Sequence, residues 1–235
     1  MKYFKIITGC APAYHNPTFT SECVTEGIKG EICEIIDHNN DWLNLRFEDG
    51  YSGWVNEFYG EKLFERKFPR YKIIFPYNHG LFRTDLPFGS YIDDRVNGAI
   101  QIESELNLEN LPNILKGLMN IPYKWGGKTS LGFDCSGLVQ AVLNSIGLKI
   151  PRDSKEQYKF FKNNKINIEN SKFGDLHFFT ENNKICHVGF STGGKGIIHC
   201  QGYVKKESLK KDDVNYNKNL LDKYLSTHSI RSKFN

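Results

Sequence analysis

Position 135 is a cysteine set between an aspartate and a serine, in the run Phe133-Asp134-Cys135-Ser136-Gly137-Leu138-Val139-Gln140. Behind it, Val139, Val142, Leu143 and Ile146 recur at helical spacing, so a helix is expected from about Ser136 to Ile146, closed by Gly147. A thiol at a helix N-terminus meets unpaired backbone N–H groups and the positive end of the helix dipole. Both lower its pKa, and the expectation is a nucleophile already ionised at neutral pH. Downstream lie Cys186-His187-Val188-Gly189 and Ile197-Ile198-His199-Cys200. A cysteine with two separated histidines is the minimal set for cysteine nucleophilic catalysis. His187 would take the thiol proton or pair with the thiolate, and His199 would hold the His187 ring in its useful tautomer. The same three side chains could form a Cys-His-His zinc site. Without close-spaced ligands the triad is the stronger reading, and no metal is expected.

Asp134 has two readings. It can cap the helix, with Ser136 adding a hydroxyl in the first turn. A carboxylate beside the nucleophile also opposes thiolate formation, which suggests a recognition task, such as pairing with a substrate ammonium group.

These side chains need elements to hold them. Leu111, Ile114, Leu115 and Leu118 mark a helical face ended by Pro122. A Gly-rich loop from Trp125 to Gly132 leads into Cys135, and Ser154-Lys155-Glu156-Gln157 has the pattern of a capping box opening another helix. Strands are expected over 175–180, 185–191 and 196–201, with Thr192-Gly193-Gly194-Lys195 as the turn of a hairpin. A three-residue loop centred on Gly193 would set His187 and His199 directly opposite on one face; a two-residue Gly193-Gly194 turn would shift them diagonally and flip their relative faces. Cys186 and Cys200 should point to the other face and are core candidates.

Before residue 105 the pattern differs. Glu31–Ile36, Trp42–Phe47 and Tyr51–Val55 read as short strands separated by polar turns at 37–41 and 48–50, the signature of a small β-barrel or sandwich. Further strands are expected at 71–75 and 98–102. Residues 64–70, with Pro69 and several charges, are either a linker or a loop inside a larger β unit.

The chain has 235 residues, a net charge of +4, 25% charged and 39% hydrophobic residues, an ordinary globular composition. No dense basic stripe supports a nucleic-acid partner. The lysines at 205–206 and 210–211, followed by Asp212-Asp213, read as a solvated surface. The six cysteines do not form a disulfide framework. Met1–Cys10 ends in Thr-Gly-Cys but lacks a secretory apolar core, and no stretch approaches the roughly 20 apolar residues that span a bilayer. A cytoplasmic protein without membrane partner is expected. Cys10, Asn40 and Lys128 fit no motif, and the tail from Asp212 suggests only an amphipathic end helix.

Pro122-Tyr123-Lys124-Trp125-Gly126-Gly127, the run around Cys135, Pro151-Arg152-Asp153-Ser154 with Gln157, Gly174-Asp175-Leu176, His187-Val188-Gly189 and Ile198-His199 together resemble the NlpC family of cell-wall cysteine peptidases. Residues 20–60, with Asp49 to Val55, look like a bacterial SH3 domain. The resemblance implies an α+β chain, an SH3-like β domain over 1–105 and a papain-like catalytic domain over 106–235, helices packed on an antiparallel sheet. It implies Cys135 as nucleophile, His187 as base, His199 as third residue, no cofactor, and Tyr123 near the developing oxyanion. It further implies a γ-D-glutamyl-diamino acid endopeptidase cutting peptidoglycan stem peptides, L-Ala-γ-D-Glu-diaminopimelate, with a free N-terminal L-alanine, in recycling. Asp134 would bind the free amine, Ser136, Asp153 and Ser154 would line the subsites, and Tyr51, or else Tyr59 or Trp54, would narrow the cleft. A monomer is expected. The rivals are a secreted autolysin, a non-catalytic wall-binding protein, and an acyltransferase or amidase.

Overall fold

Alternating burial builds the first half of the chain into antiparallel strands. The computed structural model describes residues 1–75, 77–78, 81–102 and 107–234, those at 77, 78, 81 and 82 by backbone alone. The expected domain boundary at 105/106 lies outside the described residues. Two compact units emerge, Met1–Glu105 with Lys124–Gly132, and Leu106–Tyr123 with Phe133–Asn235. This division differs from the expected one by residues 124–132.

In the first unit, β1 (Tyr3–Ile6), β2 (Cys10–Tyr14), β3 (Cys23–Ile28), β4 (Ile32–Asn39), β5 (Trp42–Arg46), β6 (Ser52–Asn56) and β7 (Gly60–Leu63) form one sheet in the order β3-β2-β6-β5-β4-β1-β7. Phe4 and Ile6, Ala11 and Ala13, and Leu43 and Leu45 alternate inward and meet Cys33, Phe47 and Val55 in one core. Period-two burial of this kind fixes register, because a one-residue slip would turn every apolar side chain outward. The polar segment at 37–41 is not wholly a turn. Asp37, His38 and Asn39 pair with Asn44, Leu43 and Trp42, and the reversal shrinks to Asn40, at φ 50°, and Asp41. Met1–Cys10, read as an imperfect leader, supplies β1 between β4 and β7.

Residues 64–70 are an irregular loop inside this unit. They lead to β8 (Tyr71–Ile73), followed by β9 (Tyr77–Asn78), β10 (Leu81–Phe82), β11 (Tyr91–Ile92) and β12 (Ala99–Gln101). β8 pairs on both sides, with β11 and β12. Lys128 explains why the glycine-rich loop belongs here. Its side chain is buried over the Phe47 ring, 3.7 Å from Glu31 and 3.8 Å from Asp49, while its backbone N–H donates to buried Glu26 at 3.1 Å. Lys124 pairs with the same Glu26.

The second unit begins with α1 (Leu111–Gly117), which buries Leu111, Ile114 and Leu115 and stops before Pro122. After the segment 124–132 of the first unit, with β13 (Lys128–Thr129) and the start of β14 (Gly132–Phe133), the second unit resumes with α2 (Cys135–Ser145) and α3 (Ser154–Phe160). Gly147, at φ 86°, ends α2: Leu148 N–H donates to Leu143 O at 2.9 Å and Gly147 N–H to Asn144 O at 3.3 Å, a Schellman closure. Then follow β15 (Lys165–Ile166), β16 (Phe173–Glu181), β17 (Lys184–Thr192), β18 (Gly196–Gln201), β19 (Tyr203–Ser208), α4 (Lys218–Asp222) and β20 (Tyr224–His228). The strands make an antiparallel sheet in the order β15-β20-β16-β17-β18-β19. α2 and α3 pack on β17.

The lysines at 205–206 lie on strand β19, Lys205 half-buried and Lys206 exposed, and Lys210 and Lys211 are exposed, so this stretch is solvated as expected. Two expectations are corrected here. The tail is not an end helix: after the single turn of α4 it returns as β20 between β15 and β16, burying Ser226, Thr227 and His228. The capping box at Ser154 does not form either. Asp153 holds the N-cap position without a side-chain cap bond, and the Gln157 amide instead donates to the carbonyls of Ser136 at 2.9 Å and Pro151 at 3.0 Å. No helix among the described residues is long and apolar enough to cross a membrane.

Candidate active site

Cys135 is the first residue of α2. Asp134 precedes it in extended backbone, φ −89° and ψ 178°, and its Oδ1 accepts Gly137 N–H at 2.6 Å as the N-cap. The Cys135 sulfur receives backbone N–H bonds from Ser136, in its own first turn, and Val188, on β17. Those donors are outweighed. Burial first, then the Asp134 charge, push the thiol up to about 12. Burial and the neighbouring carboxylate thus oppose the ionisation expected at a helix start, and the two backbone N–H donors favour it.

His187 precedes Val188 on β17, and its Nε2 lies 2.8 Å from His199 Nδ1, the two rings being nearly perpendicular at 4.9 Å between centroids. Burial, then the neighbouring His199, push His187 down to about 3. A thiol pushed up and an imidazole pushed down favour the neutral forms of both, in which a proton would shift during attack rather than before it.

Neither anticipated hairpin register occurs. Phe190 pairs with Ile198 and Ser191 with Ile197, so the loop is Gly193-Gly194-Lys195 and Gly189, not His187, stands opposite His199. The two histidines share a face but meet diagonally. Gly189 makes this approach feasible: a Cβ there would lie 2.7 Å from the Cβ of His199.

The polar chain continues. His199, fully buried, sets its Nε2 2.8 Å from Oε2 of Glu207 on β19. Glu207 Oε2 also accepts from Asn217 Nδ2 at 2.8 Å, and its Oε1 lies 3.0 Å from Lys205 Nζ. The His199 hydrogen bond foremost, with Asn217 and Lys205 adding, holds this carboxyl down at about 2. Sequence reasoning missed Glu207 and Asn217. The usable signal was alternation in Tyr203–Ser208, since the register pairs His199 with Lys205 and Ile197 with Glu207 and so sets Glu207 on the histidine face.

Asp134 is paired inside its own unit. Buried Arg152 donates from Nη1 to Oδ1 at 3.0 Å and from Nη2 to Oδ2 at 2.6 Å, and Ser136 Oγ donates to Oδ1 at 3.1 Å while accepting from Arg152 at 3.0 Å. Ser136 is therefore turned into this network. Asp153 is exposed and Ser154 half-buried at the start of α3. Tyr123 is half-buried, with its backbone N–H on Gly202 O at 2.8 Å. Its hydroxyl is pushed up to about 12 by desolvation first, then by Cys135 and Asp134, which places the ring near both. Tyr51, Tyr59 and Trp54 belong to the first unit; Tyr51 is half-buried between β5 and β6, its N–H on Asp49 Oδ1 at 2.9 Å. Of the two core candidates, Cys200 is buried and donates to Phe133 O at 3.1 Å, but Cys186 is exposed.

Comparison with known proteins finds similarity in both halves of the chain. The model of the NlpC/P60 family matches residues 120–224, and that of the bacterial dipeptidyl-peptidase Sh3 domain matches residues 13–57. A γ-D-glutamyl-L-lysine dipeptidyl-peptidase of Bacillus subtilis is 31% identical over 143 residues, which are 60% of this chain and 48% of that protein. A protein of the same name from Bacillus cereus is 25% identical over 229 residues, 77% of this chain and 68% of that one. The chain thus spans about half the length of the first relative and about two thirds of the second. A crystal structure of an NlpC/P60 family protein from Bacillus cereus shares the fold, with TM-score 0.77, 18% identity, and coverage of 97% of this chain and 99% of that one.

Proposed function

Because the chain carries an NlpC/P60 cysteine peptidase domain behind a bacterial SH3 domain, we propose that it is a γ-D-glutamyl-diamino acid endopeptidase of peptidoglycan stem peptides. It acts as a dipeptidyl-peptidase on L-Ala-γ-D-Glu-diamino acid fragments with a free N-terminus, released during wall recycling in the cytoplasm. The relatives' names support the bond, and the observation that carries the chemistry is a helix-start thiol served by a two-histidine relay.

In this reading Cys135 Sγ attacks the γ-carbonyl carbon of the glutamyl residue while its proton passes to His187. The carbonyl oxygen becomes an oxyanion, met by the Cys135 backbone N–H and the Tyr123 hydroxyl. Collapse of the tetrahedral adduct breaks the C–N bond. His187 gives its proton to the departing amine, leaving a thioester on Cys135. Water, deprotonated by His187, then adds to the thioester and releases the L-Ala-γ-D-Glu dipeptide, and the proton returns to sulfur. Asp134, Ser136, Asp153 and Ser154 form the proposed recognition set, with Asp134 held in place by Arg152.

Mass spectrometry of products from L-Ala-γ-D-Glu-diaminopimelate, its L-lysine counterpart and their N-acetylated forms tests this. Cleavage after glutamate by the wild type, its loss in Cys135→Ala, and its loss on acetylation are expected. Full cleavage by Cys135→Ala refutes the mechanism, and equal cleavage of acetylated peptide refutes recognition of the free amine.

A further inference from the structure

We propose that Glu207 is a positioning residue that fixes the protons on both imidazoles, so that His187 presents an unprotonated Nδ1 to the Cys135 thiol. The inference rests on the cysteine peptidase reading above and extends it to a residue on β19 and to the tail that follows.

The argument is one of donor and acceptor inventory. An ionised carboxylate only accepts hydrogen bonds. Glu207 Oε2 lies 2.8 Å from His199 Nε2, so that nitrogen carries the hydrogen. In neutral His199 the remaining lone pair is then on Nδ1, and Nδ1 lies 2.8 Å from His187 Nε2. His187 Nε2 must donate across that contact, which makes Nδ1 the bare nitrogen of the base. Every proton position along the relay follows from one carboxylate at its far end. The arrangement also survives the reaction: once His187 accepts the thiol proton, its Nε2 still donates to His199 Nδ1, so no group has to reorient.

Two neighbours keep Glu207 in this role. Lys205 Nζ, 3.0 Å from Oε1, pairs with the other carboxylate oxygen and leaves Oε2 to His199. Asn217 Nδ2 donates to Oε2 at 2.8 Å, and the amide cannot be turned round, because its Oδ1 caps α4 by accepting Leu220 N–H at 3.0 Å. The segment after Asp212, without a functional signal in the sequence, thereby holds the far end of the relay.

Glu207→Gln in an Asn217→Ala background is the decisive variant, because the fixed Nδ2 of Asn217 would otherwise hold the amide oxygen toward His199. With that donor gone, the ammonium of Lys205 selects the amide oxygen, which turns the NH2 group toward His199. His199 Nε2 must then accept, its hydrogen moves to Nδ1, and His187 is driven to the tautomer that carries hydrogen on Nδ1 and cannot receive the thiol proton. We expect kcat to fall by about 10²–10³-fold with KM changed less than about threefold, as for a triad member set in the wrong tautomer. The readout that a merely structural role would not move is the tautomer itself, by two-bond ¹H–¹⁵N correlation spectra of the imidazoles at pH 7. In the wild type, hydrogen on Nε2 of both His187 and His199 supports the proposal. Hydrogen on Nδ1 of His187, or an imidazolium at His199, overturns it, and this measurement needs no variant to fold. In the double variant Glu207→Gln, Asn217→Ala the hydrogens should move to Nδ1 on both rings; unchanged tautomers with near-normal kcat overturn the proposal. Asn217→Ala keeps the carboxylate and should leave both tautomers as in the wild type. Since the spectra do not depend on turnover, failure here is distinct from failure of the peptidase reading, which Cys135→Ala decides.

Discussion

Replacing Arg152 by methionine removes a guanidinium but keeps most of its volume. Arg152 is 3% exposed and supplies hydrogen bonds to Asp134 Oδ1, Asp134 Oδ2 and Ser136 Oγ at 3.0, 2.6 and 3.0 Å. Asp134 is itself 7% exposed, so in Arg152→Met its carboxylate stays buried without a counter-charge. Breaking a buried pair by removing one partner costs about 3–5 kcal/mol. Asp134 retains Gly137 N–H and Ser136 Oγ, which puts the expectation at the lower end, about 3 kcal/mol, or on the order of 10²-fold in an opening equilibrium. The assay must report on the second unit. Trp42, Trp54 and Trp125, the three tryptophans of the chain, all lie in the first, so fluorescence would report on the wrong part. Hydrogen exchange of peptides covering α2, Cys135–Ser145, reports on the right one, and their protection should fall by that factor. The double variant Asp134→Asn, Arg152→Met keeps an oxygen for the Gly137 cap and removes both charges, so it should regain about 2 kcal/mol. If Arg152→Met alters α2 exchange by less than about fivefold, or the two substitutions simply add, the pairing is not what holds Asp134 and the reasoning is wrong.

The protonation of the nucleophile gives a second test. An acid whose pKa is raised keeps its proton to higher pH, and with Cys135 pushed up to about 12 its thiolate fraction grows about tenfold per pH unit through pH 8.5–10, where an ordinary thiol near 8.5 levels off. Iodoacetamide labelling of the Cys135 peptide, followed by mass spectrometry, should therefore still accelerate across that range; a plateau reached by pH 7 would reveal a thiolate–imidazolium pair and contradict the neutral resting state. Gly189→Ala places a Cβ 2.7 Å from His199 Cβ and 2.9 Å from Ile198 O, contacts that backbone cannot yield cheaply. A loss of about 1–3 kcal/mol and a fall in kcat are expected from thermal unfolding and turnover, and a variant with wild-type values for both would show that the diagonal approach of the histidines is not constrained there.

Much of the site is readable in the chain because its signals are local. The apolar positions after Cys135 are a helix period, and they place the thiol at a helix start within one residue. The alternation around His187 and His199 is a strand period, and it sets both on strands of one hairpin. In the first unit, Leu43, Leu45 and Val55 follow from alternation alone. Other features resisted such reading for a stated cause. A tail segment with a capped turn and a short apolar run does not announce that it returns as β20 into the sheet, since strand pairing is a contact with distant residues. The stretch around the solvated lysines of β19 does not announce that its register with β18 sets Glu207 on the histidine face.

What the sequence by itself determined, then, is identity and periodicity: a thiol ahead of a helix, two imidazoles on strands, an acid beside the thiol. Tertiary structure decided what those groups are. A loop one residue removed from the expected centre made the histidines diagonal neighbours over Gly189, because cross-strand position depends on where the chain turns. Burial pushes the Cys135 thiol up and the His187 imidazole down, because desolvation is a property of the surroundings and not of the local sequence. Arg152, 18 residues away in the chain, took up the charge of Asp134, and Glu207 closed the relay from a third strand. Charge pairing and proton position are set by distances in space, and those exist only once the sheet and its helices have packed.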